Sequence, residues 1–139
     1  MAVGLFSRKP ATVDVGSLGE DGDYETTVVG ESFYRDEIIA WLERQDHLDW
    51  QRGRRRDVFT LVREPDNAHD PNAVRVATSD GVTVGYLPAD VAVSWSPRLA
   101  GEDRPVRCVG AVMWDRKRAR PTHRNRIPVG VRLDLVDQR

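Results

Sequence analysis

Residues 58–88 read VFTLVREPDNAHDPNAVRVATSDGVTVGYLP, and the fold class follows from this stretch. Val58–Arg63 and Ala73–Thr78 are rich in β-branched residues and nearly alternate apolar with polar, the pattern of half-buried strands. Asp80-Gly81, between Thr78 and Val82, is a two-residue hairpin signal, since glycine takes the positive φ of a tight turn without strain. Val82–Leu87 then pairs back, and Pro88 ends the run. The first two strands are joined by Glu64-Pro65-Asp66-Asn67-Ala68-His69-Asp70-Pro71-Asn72, stiffened by Pro65 and Pro71 and loaded with polar side chains. A connector that long and that polar points to binding as well as to linkage.

Working outward, Tyr24–Val29 is expected to be a strand closed by Gly30. Asp36–Trp50 follows as an amphipathic helix, with Asp36 capping its first N–H groups and Ile38, Ile39, Trp41, Leu42 and Leu48 roughly sharing one face. The arginine run Arg52–Arg56 then links this helix to the strand at Val58. Beyond the hairpin, Pro88–Trp95 suggests a short helix with proline near its start, broken by Pro97. Residues 105–114 and 127–136 add two strands. Residues 1–23 carry little periodicity and are expected to be a mobile tail, leaving 24–137 as one domain. Five or six short strands with two inserted helices predict a mainly β (α+β) fold, a small and partly closed barrel, with a flat sheet under one helix layer as the other reading.

Composition narrows the function classes. The chain has 139 residues, of which 40% are hydrophobic and 31% charged, as in soluble globular proteins. It has no apolar run of membrane-spanning length and no secretory leader pattern, so no membrane contact and a cytoplasmic location are expected. Cys108, the lone cysteine, suits a reducing compartment as a small buried hydrophobe. The net charge of −1 is unevenly distributed. Residues 1–49 hold 4 basic and 11 acidic side chains, whereas residues 50–139 hold 17 basic and 11 acidic. The basic excess concentrates at 52–56 and 116–126, and Arg54, Arg55 and Arg118 are candidate contacts to a phosphate backbone. No GxGxxG, Walker A, paired CxxC, HExxH or GxSxG pattern occurs, so no cofactor and no catalytic motif are assigned.

Three segments taken together, VVGESFY at 28–34, LVREPDNAHDPNAVRV at 61–76 and VGYLP at 84–88, resemble the HIRAN domain in order and spacing. The resemblance covers roughly residues 26–136. It implies an oligonucleotide-binding-like (OB-like) barrel that binds single-stranded DNA or its 3′ end in DNA repair or replication processing, with a helicase or nuclease as a partner protein. In the best understood members the domain grips the 3′ end, stacking bases on aromatics and reading the terminal hydroxyl through a loop carboxylate. Carried over, Phe33 stands at the stacking aromatic, Asp70 at the carboxylate and Asn67 at a position that holds the end nucleotide. His69 replaces a tyrosine and Tyr86 a histidine, each keeping a flat face and a polar tip. Ala89 stands where the DNA-reading members have a lysine, so one phosphate contact is missing. Tyr34, Arg63 and Asn72 complete the candidate set.

The residues also allow other readings. Asn67, Asp70 and Asn72 suit loop folding, because such side chains bond the backbone two residues on. Of adjacent Phe33 and Tyr34, one is expected in the core. Trp41, Trp95 and Trp114 are expected in the core as well, with Trp50 open. Two further functions stay in view. One is a metal-dependent nuclease using Glu64, Asp66, His69 and Asp70. The other is an adaptor docking proteins on the acidic helix 36–50.

Overall fold

A computed structural model of the protein describes residues 11–15, 25–45, 52–115 and 128–135. Its elements are β1 (Val13–Val15), β2 (Thr26–Thr27), a 3-10 helix (Glu31–Tyr34), α1 (Arg35–Arg44), β3 (Arg52–Arg63), β4 (Val74–Ala77), β5 (Thr83–Tyr86), α2 (Ala89–Ala100), β6 (Val106–Asp115) and β7 (Val129–Leu133). The strands form one sheet in the order β2-β7-β6-β3-β4-β5, antiparallel throughout this path, and β1 adds in parallel to β6. Just past β2, Val29 bridges to Tyr86 of β5 through two backbone hydrogen bonds of 2.9 Å. That bridge brings the two ends of the sheet together, so the sheet curls into the partly closed OB-like barrel expected from the strand count.

The interior is built by alternation. Phe59 and Leu61 of β3, Val74 and Val76 of β4, Cys108 and Val112 of β6, and Val131 and Leu133 of β7 all point inward and are buried. Ile38, Trp41 and Leu42 of α1 and Ala92, Trp95 and Leu99 of α2 pack on the same cluster. Burial drives the Cys108 thiol up to about 12, with the Asp134 carboxylate adding to it, so the thiol is inert at neutral pH. No described helix is long and apolar enough to cross a membrane.

Several local expectations change. The arginine run 52–56 is not a link but the first half of β3, whose residues 52–61 pair with 115–106 of β6. Periodicity misses this because arginine hides the alternation: the run has no apolar face to read, and its register is imposed by β6. Gly53 within it is needed for space, since a β-carbon there would collide with the Trp114 indole. Residues 13–15, placed in the tail by sequence, form β1, held by the Asp14–Arg107 ion pair at 2.9 Å. Three residues are too few for a periodic signal. The first helix starts at Arg35, so Asp36 sits in the first turn and makes no capping bond. It faces the helix dipole instead. Pro97 lies inside α2 rather than ending it. Ala92, Trp95, Ser96 and Leu99 bury one continuous stripe across the proline, and that packing outweighs the lost backbone bond.

The hairpin also differs by one residue. Thr78 N–H donates to Val82 O, so the loop is Ser79-Asp80-Gly81, with Gly81 at φ 93. This is the three-residue loop that places glycine in the left-handed position. Asp80 is more than a turn residue, because its Oδ1 accepts from Thr78 Oγ1 at 2.5 Å and from the buried Trp41 Nε1 at 2.9 Å. The Thr78 hydroxyl, aided by the indole N–H and by Arg44, holds the Asp80 carboxyl below its ordinary 3.8 against the opposing effect of desolvation. A carboxylate with a depressed folded pKa stabilises above its unfolded pKa, and that contribution is lost as pH falls through the folded value. Urea titrations from roughly pH 5 to pH 2 are therefore expected to show an acid-dependent loss of stability that is smaller in Asp80→Asn.

Candidate nucleic-acid interface

The loop 64–72 closes the end of the β3–β4 pair, and most of its polar groups build it. Glu64 N–H donates to Ala73 O at 2.9 Å, extending the β3–β4 ladder by one bond. Asn67 Oδ1 accepts from the backbone of His69 at 2.9 Å and of Asp70 at 3.1 Å, while its Nδ2 donates to Glu64 Oε1 at 3.2 Å. Asp70 Oδ1 accepts from the Asn72 backbone at 2.8 Å. These are the side-chain-supported turns that the two X-Pro steps require. Asn67 thereby uses three of its four side-chain hydrogen-bonding positions in folding the loop. Asp70 uses one carboxylate oxygen this way, and its second has no partner among the described residues. The His69 side chain is exposed, with no side-chain hydrogen bond or ion pair among the described residues.

The aromatic residues divide their roles across this end of the barrel. Gly30, at φ 78, turns the chain after the Val29–Tyr86 bridge, and the 3-10 helix starts there. Successive residues of a 3-10 helix diverge by about 120°, which separates the neighbours Phe33 and Tyr34. Tyr34 packs against the core and lies 6.5 Å, ring to ring, from Tyr86. Phe33 is 86% exposed. Burial, then the oxygens of Tyr34 and Glu64, push the Tyr86 phenol well up from its ordinary value, so it stays a neutral donor. Glu64 in turn pairs with Arg75 at 3.3 Å. Tyr86, Glu64 and Arg75 thus tie the loop to the barrel, with Phe33 standing outside them. Arg75 was not singled out from the sequence, and Glu64 only as a candidate metal ligand. Their signal is the i-to-j pairing of two strands, visible only once β3 and β4 are in register.

Arg63, at the end of β3, donates from Nε to Ser96 Oγ of α2 at 3.3 Å and helps to line a shallow cavity of about 390 Å³ with residues 64–67. Arg54 and Arg55 are not part of this end. They lie eight or more residues back along β3, roughly 25 Å away at strand rise, and on opposite faces of it. Arg55 turns inward over the Trp41 ring at 5.7 Å and reaches Gln45 Oε1 at 3.4 Å. Arg54 is exposed beside a second cavity of about 750 Å³, lined by Gly53, Met113, Trp114 and Gly130 among others. Arg118 and Trp50 lie outside the described residues. Trp41, Trp95 and Trp114 are all buried. Among the described residues no three His, Cys, Asp or Glu side chains come together as metal ligands do, so Glu64, Asp66, His69 and Asp70 form no such group. The exposed face of α1 carries Asp36, Glu37 and Glu43.

A segment of 47 residues is 40% identical to the Fanconi-associated nuclease 1 homolog of Arabidopsis thaliana, covering 34% of this chain and 5% of that protein. Among solved structures, a protein from Lactobacillus plantarum aligns with 21% identity and a TM-score of 0.43 over 78% of this chain and 89% of that one. The HIRAN domain of human HLTF aligns with 16% identity and a TM-score of 0.30 over 58% of this chain and 74% of that one. The HIRAN domain family itself matches residues 21–133, from ahead of β2 to the end of β7. With the match spanning nearly the whole barrel, this chain belongs to the HIRAN domain family.

Proposed function

We propose that this HIRAN domain is a DNA-binding module that takes single-stranded DNA, and specifically its 3′ end, at the barrel end formed by Phe33, Tyr86 and the 64–72 loop. The observation that carries the reading is an almost fully exposed aromatic ring, Phe33, together with a carboxylate, Asp70, one oxygen of which has no partner among the described residues. An exposed ring is a platform for a base, and stacking contributes roughly 1–3 kcal/mol per base. An ionised carboxylate accepts hydrogen bonds and repels phosphate, so it favours a free hydroxyl over a phosphorylated end. His69, exposed on the same loop, offers a second flat face, and Arg63 a cation for the backbone. The proposal extends to a helicase or nuclease as the protein partner. It is supported there by the short segment shared with a plant nuclease homologue, of whose length this chain spans about a twentieth.

Fluorescence anisotropy with single strands ending in a 3′ hydroxyl, a 3′ phosphate or a blocked 3′ end tests the reading. The hydroxyl end is expected to bind at least about tenfold tighter, a difference of about 1.4 kcal/mol. Asp70→Asn is the informative variant, because an amide oxygen can still accept from the Asn72 backbone while the charge is gone. It is expected to keep the fold and lose the discrimination against phosphate. Equal affinity for all three ends, unchanged in Asp70→Asn, would overturn end reading. No binding to any oligonucleotide at low salt would overturn DNA binding itself.

A further inference from the structure

A cation stands beside the candidate end site and is held by a carboxylate of the loop. Arg75 of β4 lies opposite Tyr86 of β5 in the strand register, so the two side chains share one face of the sheet. It is the face turned away from Val74 and Val76, which are buried in the barrel. The guanidinium is fixed at two points. Its Nε meets Glu64 Oε2 at 3.3 Å, and its Nη1 donates to Thr83 Oγ1 at 3.0 Å. The pair is not sealed from solvent, because both side chains keep 29% exposure. Arg63 leaves β3 on the other face, in register with Val74, and bonds Ser96 of α2 there.

Glu64 connects this cation to the loop. Its Oε1 accepts from Asn67 Nδ2 at 3.2 Å, and the Tyr86 phenol bonds to the same carboxylate. Asn67 in turn accepts from the backbone of His69 and Asp70, which sets the turn that presents Asp70. The β-carbons of a directly opposed strand pair are about 5 Å apart. A guanidinium released from Glu64 is therefore within reach of a group seated at Tyr86. A planar guanidinium takes two phosphate oxygens at once, so an unmasked arginine at this place would favour a phosphorylated end. From this arrangement we infer that Glu64 is a specificity-determining residue of the end site: by holding Arg75 it withholds a cation from a 3′ phosphate and sharpens the preference for a free hydroxyl. The two carboxylates then have separate roles. Asp70 faces the hydroxyl, and Glu64 masks the guanidinium.

The inference rests on the end-reading proposed above, and one set of measurements separates the two. Single strands of one sequence, ending in a 3′ hydroxyl or a 3′ phosphate, are titrated at physiological salt against wild type, Glu64→Gln, Arg75→Gln and the double variant. Glu64→Gln keeps an oxygen for Asn67 Nδ2 and removes the charge that holds Arg75. It is expected to bind the phosphate end about tenfold more tightly than wild type does, the gain of one charge-assisted hydrogen bond, with the hydroxyl end changed by less than about threefold. A role confined to folding the loop would weaken both ends together and could produce no gain. Glu64→Gln/Arg75→Gln is expected to lose that gain. Arg75→Gln alone leaves Glu64 unpaired and is expected to widen the hydroxyl preference by about threefold. Glu43→Gln removes the same charge from the exposed face of α1 and is expected to shift phosphate-end affinity by less than about twofold.

A wild-type hydroxyl preference that Glu64→Gln leaves unchanged would overturn the inference while end reading stands. So would a gain in phosphate binding that persists in the double variant or is matched by Glu43→Gln. Should Glu64→Gln lose its folded near-ultraviolet circular dichroism, an unchanged preference in Arg75→Gln overturns the inference instead. Equal affinity of the wild type for both ends would sink end reading, and this inference with it.

Discussion

Replacing Gly85 by alanine is expected to cost about 3–5 kcal/mol of stability, a large share of the 5–15 kcal/mol typical of a domain. Two effects add. Gly85 has φ +148, a conformation that side-chain-bearing residues rarely adopt, and such strain costs about 1–3 kcal/mol. In addition, a β-carbon there would stand 2.5 Å from Val29 O and 2.6 Å from Val28 Cγ1. Neither neighbour can give way cheaply. Val29 is bonded to Tyr86 in both directions, and Val28 is fully buried and donates to Val131 O at 2.9 Å. The collision falls on the bridge that draws the sheet's two ends together. Gly81→Ala is the control. Gly81 has φ +93 but open space around it, so only the backbone strain of about 1–2 kcal/mol applies. Urea unfolding of the two variants against wild type measures the difference. Equal losses would show that the close approach of Val28 and Val29 is not what glycine serves at 85.

Phe33→Ala is expected to weaken single-strand binding by about 5- to 150-fold, the 1–3 kcal/mol that a stacked base loses with its aromatic partner. Stability is expected to stay within about 0.5 kcal/mol, because the ring is 86% exposed and belongs to no core cluster. That contrast makes Phe33 a better probe than its neighbours. Tyr34→Ala would remove a ring packed on the core, and Tyr86→Ala a phenol that anchors Glu64. For either of them a lost affinity would mix recognition with folding. Phe33→Trp, which keeps a flat apolar face, is expected to restore binding. Unchanged affinity in Phe33→Ala, measured at low and moderate salt, would remove base stacking at this position.

The arginines show where a linear reading loses its grip. Arg52–Arg56 is a charge run in one dimension, and nothing in its order separates Arg54 from Arg55. Strand alternation turns Arg55 in onto Trp41 and Arg54 out to solvent. The sheet then supplies Arg132, far along the chain, as a neighbour of Arg56 across β6. The 64–72 loop is the opposite case. Its Asn, Asp and Pro residues act on backbone groups two or three positions away, so the turn chemistry is local and was readable. What was not readable was the division of labour inside it. Asn67 is mostly engaged in the turn, Glu64 pairs with Arg75, and Asp70 is shared between turn and surface. The assignment of Glu64 depends on Arg75 of β4 and Tyr86 of β5 lying beside the loop.

By itself the sequence determined the strand-rich barrel, the hairpin, both helices and the family resemblance, because alternation, turn residues and short-range spacing are properties of neighbouring positions. Tertiary structure alone decided that the barrel closes through Val29 and Tyr86 at Gly85, that Arg52–Arg56 is strand, that residues 13–15 join the sheet, and which side chains share a face. Pairing register and close approach of backbones are set by partners dozens of residues away, and hydrogen-bond geometry and exclusion between them fix what no local pattern encodes.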